Sequence, residues 1–183
     1  TGLSAAQLYS TASYQSGDLH AVGLAYNDLT GWNLANQNLT DADFISATLS
    51  NANLSGAAVT GAAFSSTTGF TKEQLYSTAS YQAGDLHAIN LGDNDLTGWD
   101  FANQNLTDAS FYSATLTNAD LSGADTRGAQ YLSWSPAITF DTILPDGHVK
   151  GLNLAGGETL RVRDYDGGIA ITIDDAMTMA EGS

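Results

Sequence analysis

Large apolar side chains recur every five residues along most of this chain. In a first block they fall at Leu19, Leu24, Leu29, Leu34, Leu39, Phe44, Leu49, Leu54, Val59 and Phe64. In a second block they fall at Leu86, Leu91, Leu96, Phe101, Leu106, Phe111, Leu116 and Leu121; Thr126 interrupts the beat and Tyr131 resumes it. A helix needs a period of 3.6 and a half-buried strand a period of 2. On a helix successive beats would rotate by about 140°, so no face would be apolar. The chain must therefore turn a corner every five residues and bring the same position inward each time. Two positions ahead of most beats stands a second small residue, alanine at Ala42, Ala47, Ala52, Ala57 and Ala62, and again at Ala109, Ala114, Ala119, Ala124 and Ala129. Positions two apart on an extended segment face the same side. Each unit thus offers one large and one small inward side chain, and turns Asn, Asp, Ser, Thr and Gly to solvent.

A longer period is laid over the short one. DLTGWNLANQNLTDADF begins at Asp28, and DLTGWDFANQNLTDASF begins 67 positions later at Asp95. The preceding stretches match as well: AAQLYSTASYQSGDLHAVGL from Ala5 and KEQLYSTASYQAGDLHAINL from Lys72. Two periods are thus nested in one chain.

The runs FISATLSNANLSGAAVTGAAF and FYSATLTNADLSGADTRGAQ resemble the pentapeptide-repeat family, whose units read roughly A-(D/N)-L-x-x. The resemblance covers about residues 16–66 and 83–131. It implies an all-β fold, a right-handed parallel quadrilateral β-helix with four pentapeptides per coil. Residues twenty apart should then stack at about 4.8 Å. Leu24, Phe44 and Phe64 form one expected column, matched by Leu91, Phe111 and Tyr131; Leu19, Leu39 and Val59 form another, matched by Leu86, Leu106 and Thr126. Both copies together predict a rod core roughly 24 Å long.

Two stretches break the beat. Ser4 with Gln7, and Thr71 with Gln74, have capping-box spacing and predict short helices at about 5–13 and 72–80. Leu8, Tyr9, Leu75 and Tyr76 should face the rod and cover an exposed coil edge. The second helix falls between the copies, so either it loops out sideways or two capped rods lie in series. The predicted organisation is a β-helix over 1–131, with copies at about 4–66 and 71–131, and a β-rich cap or partial domain over 132–183. That last stretch holds β-branched segments separated by PDG, AGG and DGG turns. It is loosely similar to the region that follows such repeats in secreted bacterial, planctomycete-type surface proteins.

Trp32 and Trp99 occupy the small-residue slot, as do Asn27, Gln37, Asn94 and Gln104. Bulk is confined to the first coil of each copy, next to the helix, so Trp32 with Leu8 and Tyr9, and Trp99 with Leu75 and Tyr76, are read as structural end plugs. A ligand platform is the sharper alternative, but most buried Trp is packing.

Other candidate chemistry is sparse. There is no cysteine, which excludes disulfides, zinc–thiolate sites and thiol nucleophiles. Acids number 20 against 5 bases, a formal charge of −15, which disfavours nucleic acid and anionic membranes as partners. No run of eighteen apolar residues is present to span a bilayer. His20, His87 and His148 lack ligand spacing and are expected to face solvent. Asp100 and Asp120 should stack on one outer face, yet Asn33 and Asn53 hold the corresponding first-copy positions. Asp164 and Asp166 are weak calcium candidates, and an Asp–Gly turn accounts for them more simply. The sequons at Asn38, Asn53 and Asn105 follow from the repeat itself. No cofactor, metal or catalytic set is expected.

These features predict a non-catalytic structural or adhesive bacterial protein, exported to the cell surface or beyond it, that associates with itself head to tail into filaments. The alternative is a DNA mimic, since some acidic pentapeptide-repeat proteins bind DNA gyrase. Its acids do not form a rail: five net negative charges lie beyond Leu132, eight acids against three bases.

Overall fold

The computed structural model describes residues 3–132 and 137–150. Its backbone turns a corner every five residues and closes a coil every twenty. Parallel bridges join Asp18 to Asn38, Gly23 to Asp43, Asp28 to Thr48 and Asn33 to Asn53, which define four sides, and the next coil repeats them from Asn38 to Ala58 onward. Each corner is a tight turn. Around Asp41 the Ala42 amide donates to the Leu39 carbonyl at 3.0 Å, and Asp41 between them has φ +58°. A positive φ at the third residue is what a type II turn requires. Asn, Asp and Gly enter that region most easily, and Asn36, Asp41, Asn51, Gly56 and Gly61 occupy five of six successive corners of this kind, with Ser46 at the other. At Gly61 a Cβ would also lie 2.0 Å from the Asp41 carboxylate one coil below.

The beat residues fill the rod. Leu24, Leu29, Leu34, Leu39, Phe44, Leu49, Val59 and Phe64 are fully buried, as are Leu86, Leu91, Leu96, Phe101 and Leu106. Each buried side chain of this size contributes about 1.5–3 kcal/mol. Phe44 and Phe64 stack with centroids 5.0 Å apart and planes 7° apart, as their shared column predicts. Thr126 keeps the beat in spite of its hydroxyl. It is fully buried, and its Oγ1 donates to the Ile143 carbonyl at 2.6 Å. Tyr131 does not. It was expected in the Phe111 column but is 64% exposed, with φ +59° one residue after its rung, and its ring meets Tyr112 edge-on at 5.0 Å. The coil opens at this residue, so no inward position remains for it.

Each predicted helix is two short ones. They are α1 (Ala5–Tyr9), α2 (Ala12–Gln15), α3 (Lys72–Tyr76) and α4 (Ala79–Gln82). Capping boxes at Ser4–Gln7 and Thr71–Gln74 start α1 and α3. Thr11 and Thr78 break each stretch and restart it, their hydroxyls accepting from the amides of Tyr14 and Tyr81.

The second helix pair neither loops out nor separates two rods. Ala63 bridges Asn90, so one side carries six unbroken rungs at Gly23, Asp43, Ala63, Asn90, Ser110 and Gln130. Six rungs span about 24 Å. On two other sides α3 and α4 take the place of one layer of backbone. Past the last full coil the stack continues for half a turn, with Asp120 bridging Ile138 and Asp125 bridging Ile143. A small antiparallel hairpin follows, β1 (Thr142–Ile143) with β2 (Val149–Lys150). The rest of the expected β-rich segment lies outside the described residues.

Candidate functional site

At most rung positions the polar side chain is committed to the rod's own backbone. At the rung position an Asp or Asn oxygen accepts the amide two residues on, as in Asp43 to Ile45 (2.9 Å), Asn33 to Ala35 (3.2 Å), Asp100 to Ala102 (2.9 Å) and Asp120 to Ser122 (2.9 Å). Asn side chains also ladder between coils, Asn38 to Asp18 at 3.0 Å and Asn105 to Asp85 at 3.0 Å. The hydroxyls of Thr30 and Thr97, together with their amides, hold the Asp28 and Asp95 carboxyls below the ordinary range. Asp100 and Asp120 do face each other across a rung, but each has one oxygen in such a turn. His20 and His87 are exposed; His87 Nδ1 lies 2.8 Å from Thr107 Oγ1. His148 pairs with Asp146 at 2.8 Å in the hairpin turn, and that hydrogen bond lowers the Asp146 carboxyl. Among the described residues no group of carboxylates and histidines is arranged to hold a metal. Asp164 and Asp166 lie outside the described residues.

Aromatic side chains gather at the helix pairs. Trp32 and Trp99 are both 7% exposed. Trp32 meets Tyr9 edge-on at 6.2 Å; Trp99 meets Tyr76 at 6.4 Å and Phe70 at 5.7 Å. Leu8 and Leu75 are buried. Tyr9 Oη accepts the Asn33 amide at 2.5 Å, and Tyr76 Oη accepts that of Asp100. Trp99, Leu75 and Tyr76 therefore lie inside the rod and not at an end of it.

Two residues that sequence reasoning passed over complete this arrangement. Tyr14 and Tyr81 donate to the carbonyls of Asn33 and Asp100, both at 2.9 Å. Burial, with the Asp100 charge second, pushes the Tyr81 hydroxyl upward and keeps it a donor. Gln37 and Gln104 reach back to the carbonyls of Tyr14 and Tyr81 at 3.3 and 3.2 Å. Their signal was exact repetition of Tyr and Gln at both positions, which a search for periodic apolar residues overlooks.

The internal joint is also held by hydrogen bonds to copy one. Towards copy one, Gln74 Nε2 donates to the carbonyls of Leu49 and Ala52, each at 2.8 Å. The Ala79 amide donates to Ala57, the Gly56 amide to Ser77, and the Val59 amide to Ser80 Oγ. Asn90 gives its amide to Ala62 and takes that of Phe64, while Asn94 Nδ2 reaches the Phe64 carbonyl at 2.8 Å.

The pentapeptide-repeat family model matches residues 28–65 and 85–128, in 8 copies. The chain belongs to the pentapeptide-repeat family. Its matched segments are the two blocks whose rungs follow at intervals of twenty, and the right-handed quadrilateral β-helix of the family accounts for their four sides. Three solved pentapeptide-repeat proteins resemble it. One, from the Arabidopsis thaliana thylakoid lumen, is 28% identical with 64% of this chain and 68% of that chain covered, at a TM-score of 0.24. HetL, involved in heterocyst differentiation regulation in the cyanobacterium Nostoc sp. strain PCC 7120, is 26% identical over 72% and 68%, at 0.30. Rfr23 from the cyanobacterium Cyanothece 51142 is 20% identical over 66% and 79%, at 0.25. No curated protein matches the chain. Both helix pairs of this pentapeptide-repeat protein lie outside the matched segments, so the joint belongs to the 67-residue repeat and not to the pentapeptide.

Proposed function

We propose that the protein is a non-catalytic structural or adhesive element, exported by a bacterium, that associates end to end along the rod axis. The observation that carries this reading is the commitment of its rung-position Asp and Asn side chains to corner turns and ladders. Such a surface holds a shape and leaves few groups to convert a substrate. Contact is then concentrated at the rod ends, where backbone donors and acceptors of a coil point along the axis. In this reading Trp32 and Trp99 are packing elements. Trp32→Ala should lower the thermal midpoint with no binding activity to lose; an unchanged midpoint with a lost binding activity would contradict it. Negative-stain microscopy at high protein concentration tests the assembly. Filaments or end-to-end pairs are expected, and only single compact particles would count against it.

The formal charge of −15 favours one second reading, an acidic rod that binds DNA gyrase. A supercoiling assay separates the two, since inhibition by the intact chain would support the second.

A further inference from the structure

The joint inside the rod is built on a sequence that occurs twice, and one occurrence has no coil against it among the described residues. The groups of α3 and α4 that hold copy one recur at the start of the rod as Gln7, Ser10, Ala12 and Ser13, followed by His20 and Asn27. At the joint the amides of Ala79 and Asn90 donate to Ala57 and Ala62. Their counterparts, the amides of Ala12 and Gly23, find no acceptor among the described residues. Thr78 and Ser80 are buried at the joint, whereas Thr11 and Ser13 are exposed.

A terminating cap should be more polar than an internal joint, because the outer face of a terminal repeat is solvated. This rod shows the reverse. Lys72 and Glu73 stand at the internal joint where Ala5 and Ala6 stand at the rod's start. Leu3, 41% exposed, holds the place of Phe70, whose ring stacks on Phe64 at 4.6 Å. The uncovered surface therefore has the composition of a contact and the geometry of the joint.

We propose that the N-terminal face of the rod is a socket for the bare end coil of a further unit of this 67-residue design. The occupant presents what copy one presents to α3 and α4: the carbonyls of Leu49 and Ala52, the amides of Gly56 and Val59, and a ring in the place of Phe64. Among the described residues, a second copy of this chain does not offer such an end. In copy two the equivalent amides of Gly123 and Thr126 already donate to Phe140 and Ile143. The proposal rests on the reading that the rod makes its contacts at its ends, and it names an occupant better matched than a neighbour's tail.

The test joins a second copy of residues 4–70 ahead of Ser4 in the full chain and follows amide exchange by NMR. The amides of Ala12 and Gly23 should slow by about 100-fold or more, to the rates of Ala79 and Asn90. Unchanged rates, whether the added unit folds as a separate rod or not at all, would overturn the socket. Ala12→Pro provides a second measurement, because Ala12 is the first residue of α2, where proline is tolerated. In the extended chain it should reverse the slowing at Gly23 while leaving the unextended chain's thermal midpoint unchanged; slowing that survives the proline contradicts the docked geometry. Absence of filaments from the unextended chain would remove self-association and leave these outcomes unaffected.

Discussion

At the scale of single residues, the rung position explains why Asp and Asn replace each other between the copies. What the corner needs is one side-chain oxygen, two residues ahead of an amide that would otherwise lack a partner, and both residue types supply it. Asn33 and Asp100 are equivalent, and each accepts from the following alanine amide. Asp120→Asn should therefore change stability by less than about 0.5 kcal/mol, and Asp120→Ala should cost about 1 kcal/mol. Urea denaturation of the two variants checks the difference. The pairing of Asp100 with Asp120 was legible from the twenty-residue spacing, but their use was not. A carboxylate bound by its own chain reads the same in sequence as one free to work.

At the scale of elements, the helix pairs carry the contrast on which the architecture depends. Capping boxes made their starts visible, because Ser or Thr with Gln three residues on satisfies two amides reciprocally. Their division at Thr11 and Thr78 was hidden, since a hydroxyl that restarts a helix looks like any polar residue within one. Also hidden was that α3 and α4 lie in line with the rod. A seven-residue excess over the coil length, set by Ala63 pairing with Asn90 in place of a residue twenty on, becomes visible only when both faces of the pair are seen engaged. The two proline variants read this out. Ala79→Pro removes the amide that donates to Ala57 across the joint and should cost about 2–3 kcal/mol. Ala12→Pro, at the matching position with no such bond, should stay within about 0.5 kcal/mol of the parent. Trp99→Ala, at the joint, should cost about 3–5 kcal/mol, measured by thermal and urea unfolding alike.

At the scale of the whole molecule, the columns that the family resemblance implied stand, with Tyr131 as the exception that marks where the coil opens. A rod of this kind is stabilised layer by layer through its neighbours, so a joint with rungs on one side and helices on two others should unfold with the coils it connects. The two copies form one continuous rod. Native-state hydrogen exchange at the amides that cross the joint, Gly61, Phe64, Ala79 and Asn90, tests it most directly. These four should open with the same free energy as the amides of Phe44 and Leu106 within the copies. Fast exchange at the four while Phe44 and Leu106 stay protected would contradict it, and would leave two short rods tied by a helical linker.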